Sequence, residues 1–154
     1  MSELTTTWSE HDAALSRILE LAESSLSIFD ADLARFERPD NAAILQRFLS
    51  AREHRVRIVV RNAAPLRENS PRLWKLLGIY DTAMTVFECP ESLVELTDSF
   101  VIADDRHGLV RFHEDQPRCK TIVNDALECK PYVQRFEDLV GECGVTVGTT
   151  TLGL

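Results

Sequence analysis

The stretch Thr97-Asp-Ser-Phe-Val-Ile-Ala-Asp104 is the most informative for chemistry because of what it lacks: it sets hydroxyls and carboxylates in one short run with neither an imidazole nor an amine. It reads as a buried strand that carries hydroxyls at Thr97 and Ser99 and ends in the carboxylate of Asp104. Neutral hydroxyls hold a phosphate-like group poorly without a cation. Here that cation would come from the arginine-rich segment that contains Arg52, Arg55, Arg57 and Arg61. Asp104, just before a second aspartate, reads more simply as a strand-end turn former than as a catalytic acid.

Other constellations are weaker. There is no G-x-S-x-G elbow, no Walker A loop and no dinucleotide-binding glycine pattern. Glycine is scarce, with six residues, so a loop that cradles phosphate has almost nowhere to form. The cysteines at 89, 119, 129 and 143 form no C-x-x-C pair, which argues against a structural metal and for reduced thiols in a cytoplasmic protein. Cys143 lies near a helix C-terminus, where a thiolate is disfavoured. His11, His54, His107 and His113 each read as surface histidines, and no cofactor is expected.

The elements that would position these residues follow from periodicity. Ser9 is a plausible cap for a first helix whose Ala14, Leu15, Ile18, Leu19 and Ala22 form one apolar stripe. Residues 26–29 read as a short buried strand, and a helix over 42–53 follows with Asp40 or Asn41 as its cap. Residues 56–60 form a strand that is β-branched at four of five positions. Ser70-Pro71 starts a helix that Gly78 should stop. Strands follow at 84–87, 100–103 and 109–112, the last two joined as a hairpin through 104–108, with one more at 119–123. A final helix buries Tyr132, Val133, Phe136, Leu139 and Val140, and Pro131 either starts it or kinks a longer helix begun near Asp125. Residues 149–154 show too little periodicity to assign. Alternating strands and helices predict an α/β fold: a three-layer α/β/α sandwich on a mixed, mostly parallel sheet.

At 154 residues the chain is read as one domain, with a core over about 10–142 and a short tail over 143–154. No apolar run is long enough to cross a bilayer, and the N-terminus lacks the features of a signal peptide. The net charge of −8 argues against nonspecific nucleic-acid binding. The charge is segregated: Arg35 to Lys75 holds ten basic and four acidic residues. Such polarity suits self-association through complementary patches, or an anion or partner site.

The ordered set of these pieces resembles one half of a phospholipase D-like protein. Ala51-Arg-Glu-His-Arg-Val-Arg-Ile-Val-Val60 is similar to that family's A-x-x-R-G-V-x-V pattern, and residues 97–104 match the spacing of its H-x-K-x4-D signature. The resemblance implies a histidine nucleophile at 97 and a charge-stabilising lysine at 99, where this chain has Thr97 and Ser99; of the three, only Asp104 is retained. Arg111-Phe-His-Glu114 stands near where a G-S-x-N-like continuation would lie. The resemblance therefore implies a fold without its nucleophile: a non-catalytic accessory or protein-interaction module. Because active sites of that family form where two halves meet, it also implies a homodimer, or else an unknown protein partner. The alternative is a regulatory module that holds an anion or nucleotide in the vestigial cleft; a residual phosphodiesterase is a further one. Degenerate domains of this type are also appended to bacterial acetyltransferases, whose endings Leu152-Gly-Leu154 resembles, although no coenzyme A loop is present.

Overall fold

The computed structural model describes residues 2–148. The tail over 149–154, with the Leu152-Gly-Leu154 ending, lies outside the described residues. The elements are β1 (Ser2–Thr5), α1 (Trp8–Leu21), β2 (Ser25–Asp30), α2 (Pro39–Leu49), β3 (Arg55–Val60), α3 (Ala64–Asn69), α4 (Pro71–Ile79) and β4 (Met84–Glu88), then a 3₁₀ turn at Glu91–Leu93. They continue as β5 (Ser99–Ala103), β6 (His107–Arg111), β7 (Cys119–Ile122), α5 (Ala126–Glu142) and β8 (Val145–Val147).

All eight strands form one sheet in the order β1-β7-β6-β5-β2-β3-β4-β8. Alternate side chains feed two cores. Leu26, Ile28, Val56, Ile58 and Val101 pack under α1, α2 and α4, whereas Phe29, Val59, Phe100 and Ile102 pack under α5. The expected three layers are present. The expectation of a mostly parallel sheet needs correction. Only β2 with β3 and β3 with β4 run parallel; the other five neighbouring pairs are antiparallel. Helical crossovers join β2, β3 and β4, but β5 and β6 are joined by a tight turn, which can only reverse the chain.

Local chemistry moves several boundaries. The cap of α1 is Thr7, not Ser9: its Oγ1 accepts the Glu10 N–H at 3.1 Å, and its hydroxyl donates to Glu10 Oε1 at 2.9 Å. Helix α2 begins at Pro39, whose fixed φ suits a first turn, and it ends at Leu49 rather than 53. Asn41 is therefore not a cap. It is buried, accepting the Ser16 hydroxyl (2.7 Å) and donating to the Arg35 carbonyl (2.9 Å), so it ties α1 to the loop before α2. Helix α5 is the longer of the two alternatives: it is capped by Asp125 and carries Pro131 inside it. No helix among the described residues is long and apolar enough to cross a membrane.

Candidate functional site

Across β6, β5 and β2 the sheet lines up Arg111, Ser99 and Asp30 on its α1 face. Ser99 pairs directly with Arg111, and Asp30 ends β2 one position beyond the Phe29–Phe100 pair. Two-residue periodicity puts them in line with Leu109, Val101 and Ile28, all part of the core under α1 and α2. His11 reaches the same place from α1.

These residues build a two-level site. A small chamber of about 20 Å³ is lined by His11, Leu15, Ser99, Phe100 and Leu109 and bounded by Asp30, Arg35 and Arg111. That is room for one water or one ligand oxygen. The same Asp30, Arg35 and Arg111 floor an open cleft of about 520 Å³, whose walls are Trp8, Asp32, Glu114 and Asp115. A cleft of this size suits a small molecule.

The groups that face the chamber are firmly held. Arg111 is 7% exposed; one amino group donates to the Glu114 carbonyl at 2.8 Å and the other approaches Asp30 Oδ1 at 3.4 Å. The other oxygen of Asp30 accepts the N–H of Leu33 at 2.8 Å. Leu33 is fully buried with φ at 67°, a conformation costly for leucine that helps fix the Asp30 carboxylate. Trp8 is close to two guanidinium groups, with Arg35 3.7 Å and Arg111 5.3 Å from its ring centre. Arg35 in turn binds both oxygens of Asp12, at 2.8 and 3.0 Å. Among the described residues, two buried side-chain polar atoms have no hydrogen-bond partner: Ser99 Oγ and Arg111 Nε. Such orphans are uncommon in a native fold and point to an occupant.

The histidines correct the sequence reading, because two of the four are buried. His11 is 4% exposed, with Nδ1 3.1 Å from Asp12 Oδ1; burial, reinforced by Arg111, pushes its pKa below the usual imidazole range despite Asp12. His107, 6% exposed, takes the Asn124 N–H on Nδ1 at 2.9 Å and locks the β6 end to the loop after β7.

The predicted residues fall at opposite ends of the sheet. Ser99 is in the chamber. Thr97 is exposed in the loop before β5, where its carbonyl accepts the Glu114 N–H at 2.6 Å. Asp104 lies about 16 Å along the strand from Ser99. There its carboxylate accepts the N–H groups of Glu23, Ser24 and Ser25 at 2.8–3.0 Å, together with the Ser24 hydroxyl. Arg61, at the end of β3, donates to the Asp98 carbonyl (2.6 Å) and to Glu114 (2.8 Å), and so braces the cleft wall. Arg52, Arg55 and Arg57 stay away from Ser99. Arg55 and Arg57 line a depression beside Asp105, Arg57 is bound to Glu137 of α5, and Arg52 is exposed in the turn before β3. The arginines that do reach the cleft floor, Arg111 and Arg35, are ones the sequence did not single out. The available signal was position: Arg111 is a charged residue inside an apolar strand run.

The four thiols are unbridged, and burial raises those of Cys89 and Cys129 to about 11, which makes them poor nucleophiles. Among the described residues, no three His, Cys, Asp or Glu side chains come together as metal ligands.

Comparisons with known proteins fit this architecture. No curated protein matches the chain. Among solved structures it is similar to Nuc from Salmonella typhimurium, a phospholipase D family member, with a TM-score of 0.64 and 10% identity over 97% of this chain and 100% of that one. NucT from Helicobacter pylori gives a TM-score of 0.57 and 13% identity, covering 93% and 97%. TrmBL2, an archaeal chromatin protein described as showing a novel mode of DNA binding, gives 0.67 and 9%; the match covers 92% of this chain and only 52% of TrmBL2. At these identities the likeness shows the fold, which is phospholipase D-like. Residues 7–143 match the model of the family described as Domain of unknown function (DUF7931), and the chain belongs to that family.

Proposed function

We propose that this chain is a non-catalytic phospholipase D-like domain that binds the anionic group of a small ligand in the cleft above Ser99 and Arg111. The observation that carries this reading is the pair of unpartnered donors, Ser99 Oγ–H and Arg111 Nε–H, side by side on β5 and β6 and facing one chamber. An anion oxygen there would satisfy both, and the guanidinium supplies the cation that hydroxyls alone lack. The absence of turnover rests on what occupies the signature. Thr97 and Ser99 replace the imidazole and the ammonium, and the one imidazole lining the chamber, His11, is enclosed and tied to Asp12.

Titration with inorganic phosphate, sulfate and acetate, followed by thermal shift and calorimetry at fixed ionic strength, tests the reading. Stabilisation that grows with concentration is expected. It should be lost in Arg111→Gln and weakened in Ser99→Ala, the latter leaving the Asp30 pair intact. A flat response to all three anions, or turnover of a generic phosphodiester that disappears in His11→Asn, would overturn it.

A second reading, self-association, is favoured by two exposed apolar residues at the cleft end. Val94 precedes the β5 loop and Phe112 follows β6; they are 45% and 43% exposed, on loops joined by the Glu114–Thr97 hydrogen bond. A second copy docked at this end would cover both.

A further inference from the structure

The charges at the cleft mouth specify more than an anion. Arg35 is engaged by Asp12, Arg111 faces Asp30, and Arg61 is paired with Glu114. Among the described residues, two cleft-lining charges are left without a Lys or Arg partner, and both are negative. Asp32, on the loop after β2, accepts the Ala34 N–H, and Asp115, after β6, lies 3.8 Å from His113. β2 and β6 flank β5, so the loops bearing these carboxylates rise from strands about 10 Å apart, on either side of the Ser99 chamber. The gradient therefore runs from free donors beside already paired charges in the floor, Asp30 with Arg111 among them, to carboxylates without a basic partner at the mouth.

A simple polyanion is poorly matched to this gradient, because its outer charges would meet Asp32 and Asp115. Nor do the carboxylates form a metal site, since no set of three ligating side chains assembles there among the described residues. What fits is an organic cation covalently joined to the anion. Resting on the anion-binding reading, we infer that the cleft takes a small zwitterion, in which one anion oxygen sits between Ser99 Oγ and Arg111 Nε and an ammonium faces Asp32 and Asp115. The chamber volume supports the orientation: at about 20 Å³ it admits one oxygen and excludes a bulkier solvated ammonium. Trp8 forms the wall beside this path, and its ring already has the guanidinium groups of Arg35 and Arg111 at 3.7 and 5.3 Å from its centre, so a ligand ammonium is better placed against the carboxylates. An amino carboxylate and an aminoalkyl phosphate share this chemistry.

Matched pairs of probes separate charge from shape. Acetate is compared with glycine and γ-aminobutyrate, and inorganic phosphate with O-phosphoethanolamine, by calorimetry on the full chain at constant ionic strength. The aminated member should bind about fivefold more tightly than its bare anion, the gain expected from modest, partly exposed ion pairs. Whichever pair shows the gain identifies the anion. The Asp32→Asn/Asp115→Asn variant, whose amide oxygen at 32 can still accept the Ala34 N–H, should erase that ratio and leave the bare anion bound as well or better. If bare anions bind and the amine adds nothing or weakens binding, the zwitterion inference falls and the anion site stands. If none of the five probes binds, both fall together.

Discussion

At Asp104 a single carboxylate collects three backbone N–H groups and a hydroxyl, all from the segment that enters β2. Burial alone would raise its pKa, but the hydrogen bonds from Ser25, Glu23 and Ser24 outweigh that and hold it below the usual aspartate range. A depressed carboxylate stabilises the fold above the unfolded-state value and loses that contribution as pH falls through the folded-state value. Asp104→Ala should therefore lower stability by about 2 kcal/mol at neutral pH, read by urea unfolding, and should leave anion affinity unchanged, because Ser99 is at the other end of β5. His11 has a different pH signature. Its folded-state value is lowered by burial, so between about pH 6.5 and that lower value the unfolded chain binds the extra proton. Stability should fall as pH drops from about 6.5, and His11→Gln should flatten that part of the profile. The groups facing this imidazole are Asp12 on its own helix, Arg35 from the loop before α2, and Asp30 and Arg111 from the sheet. A profile unchanged by the substitution would mean that His11 is not the titrating group.

The elements differ in how openly the sequence declared them. Helix α5 packs over Phe29 and Phe100 but carries Pro131 on its exposed side, where the ring removes an N–H from the helical ladder. Pro131→Ala should raise stability by about 1 kcal/mol or more, measured as a shift of the urea midpoint; a loss would show that the proline fits a bend the fold needs. Strands β2 to β7 were legible because β-branched and aromatic runs lie between clear turn residues. Strands β1 and β8 were not: each is only three or four residues, mostly exposed, and held by its neighbour rather than by its own pattern. Helix α3, six residues long, buries only Leu66 and gives no stripe to detect. The site was hidden by register. Reading the hairpin turn as 104–108 leaves the pairing undefined, whereas the observed turn is shorter and sets Ser99 opposite Arg111. Ser99 was visible as a motif position; Arg111, Arg35 and His11 became a site only when three strands and a helix met.

At the scale of the whole molecule, binding and self-association compete for one end of the sheet. The cleft mouth, Val94 and Phe112 share that end, and a stable pairing would bury about 800 Å² per partner, roughly a tenth of the chain's 8123 Å². A net charge of −8 opposes pairing at low salt, because like charges are screened only beyond about 10 Å at moderate ionic strength. The basic stretch offsets this only partly at that end: Arg47, Arg67 and Lys75 are exposed and make no ion pair among the described residues, but they lie on α2, α3 and α4. If the cleft end is a dimer surface, sedimentation over a broad concentration range should show a dimer that strengthens as salt rises. Phe112→Glu should then return it to monomer without changing its melting point. A zwitterion that fills the cleft should shift the same equilibrium, toward the dimer if the mouth closes over it and toward the monomer if it competes with the partner. A chain that stays monomeric at all concentrations and salts would remove the self-association reading and leave the cleft open as a binding site in its own right.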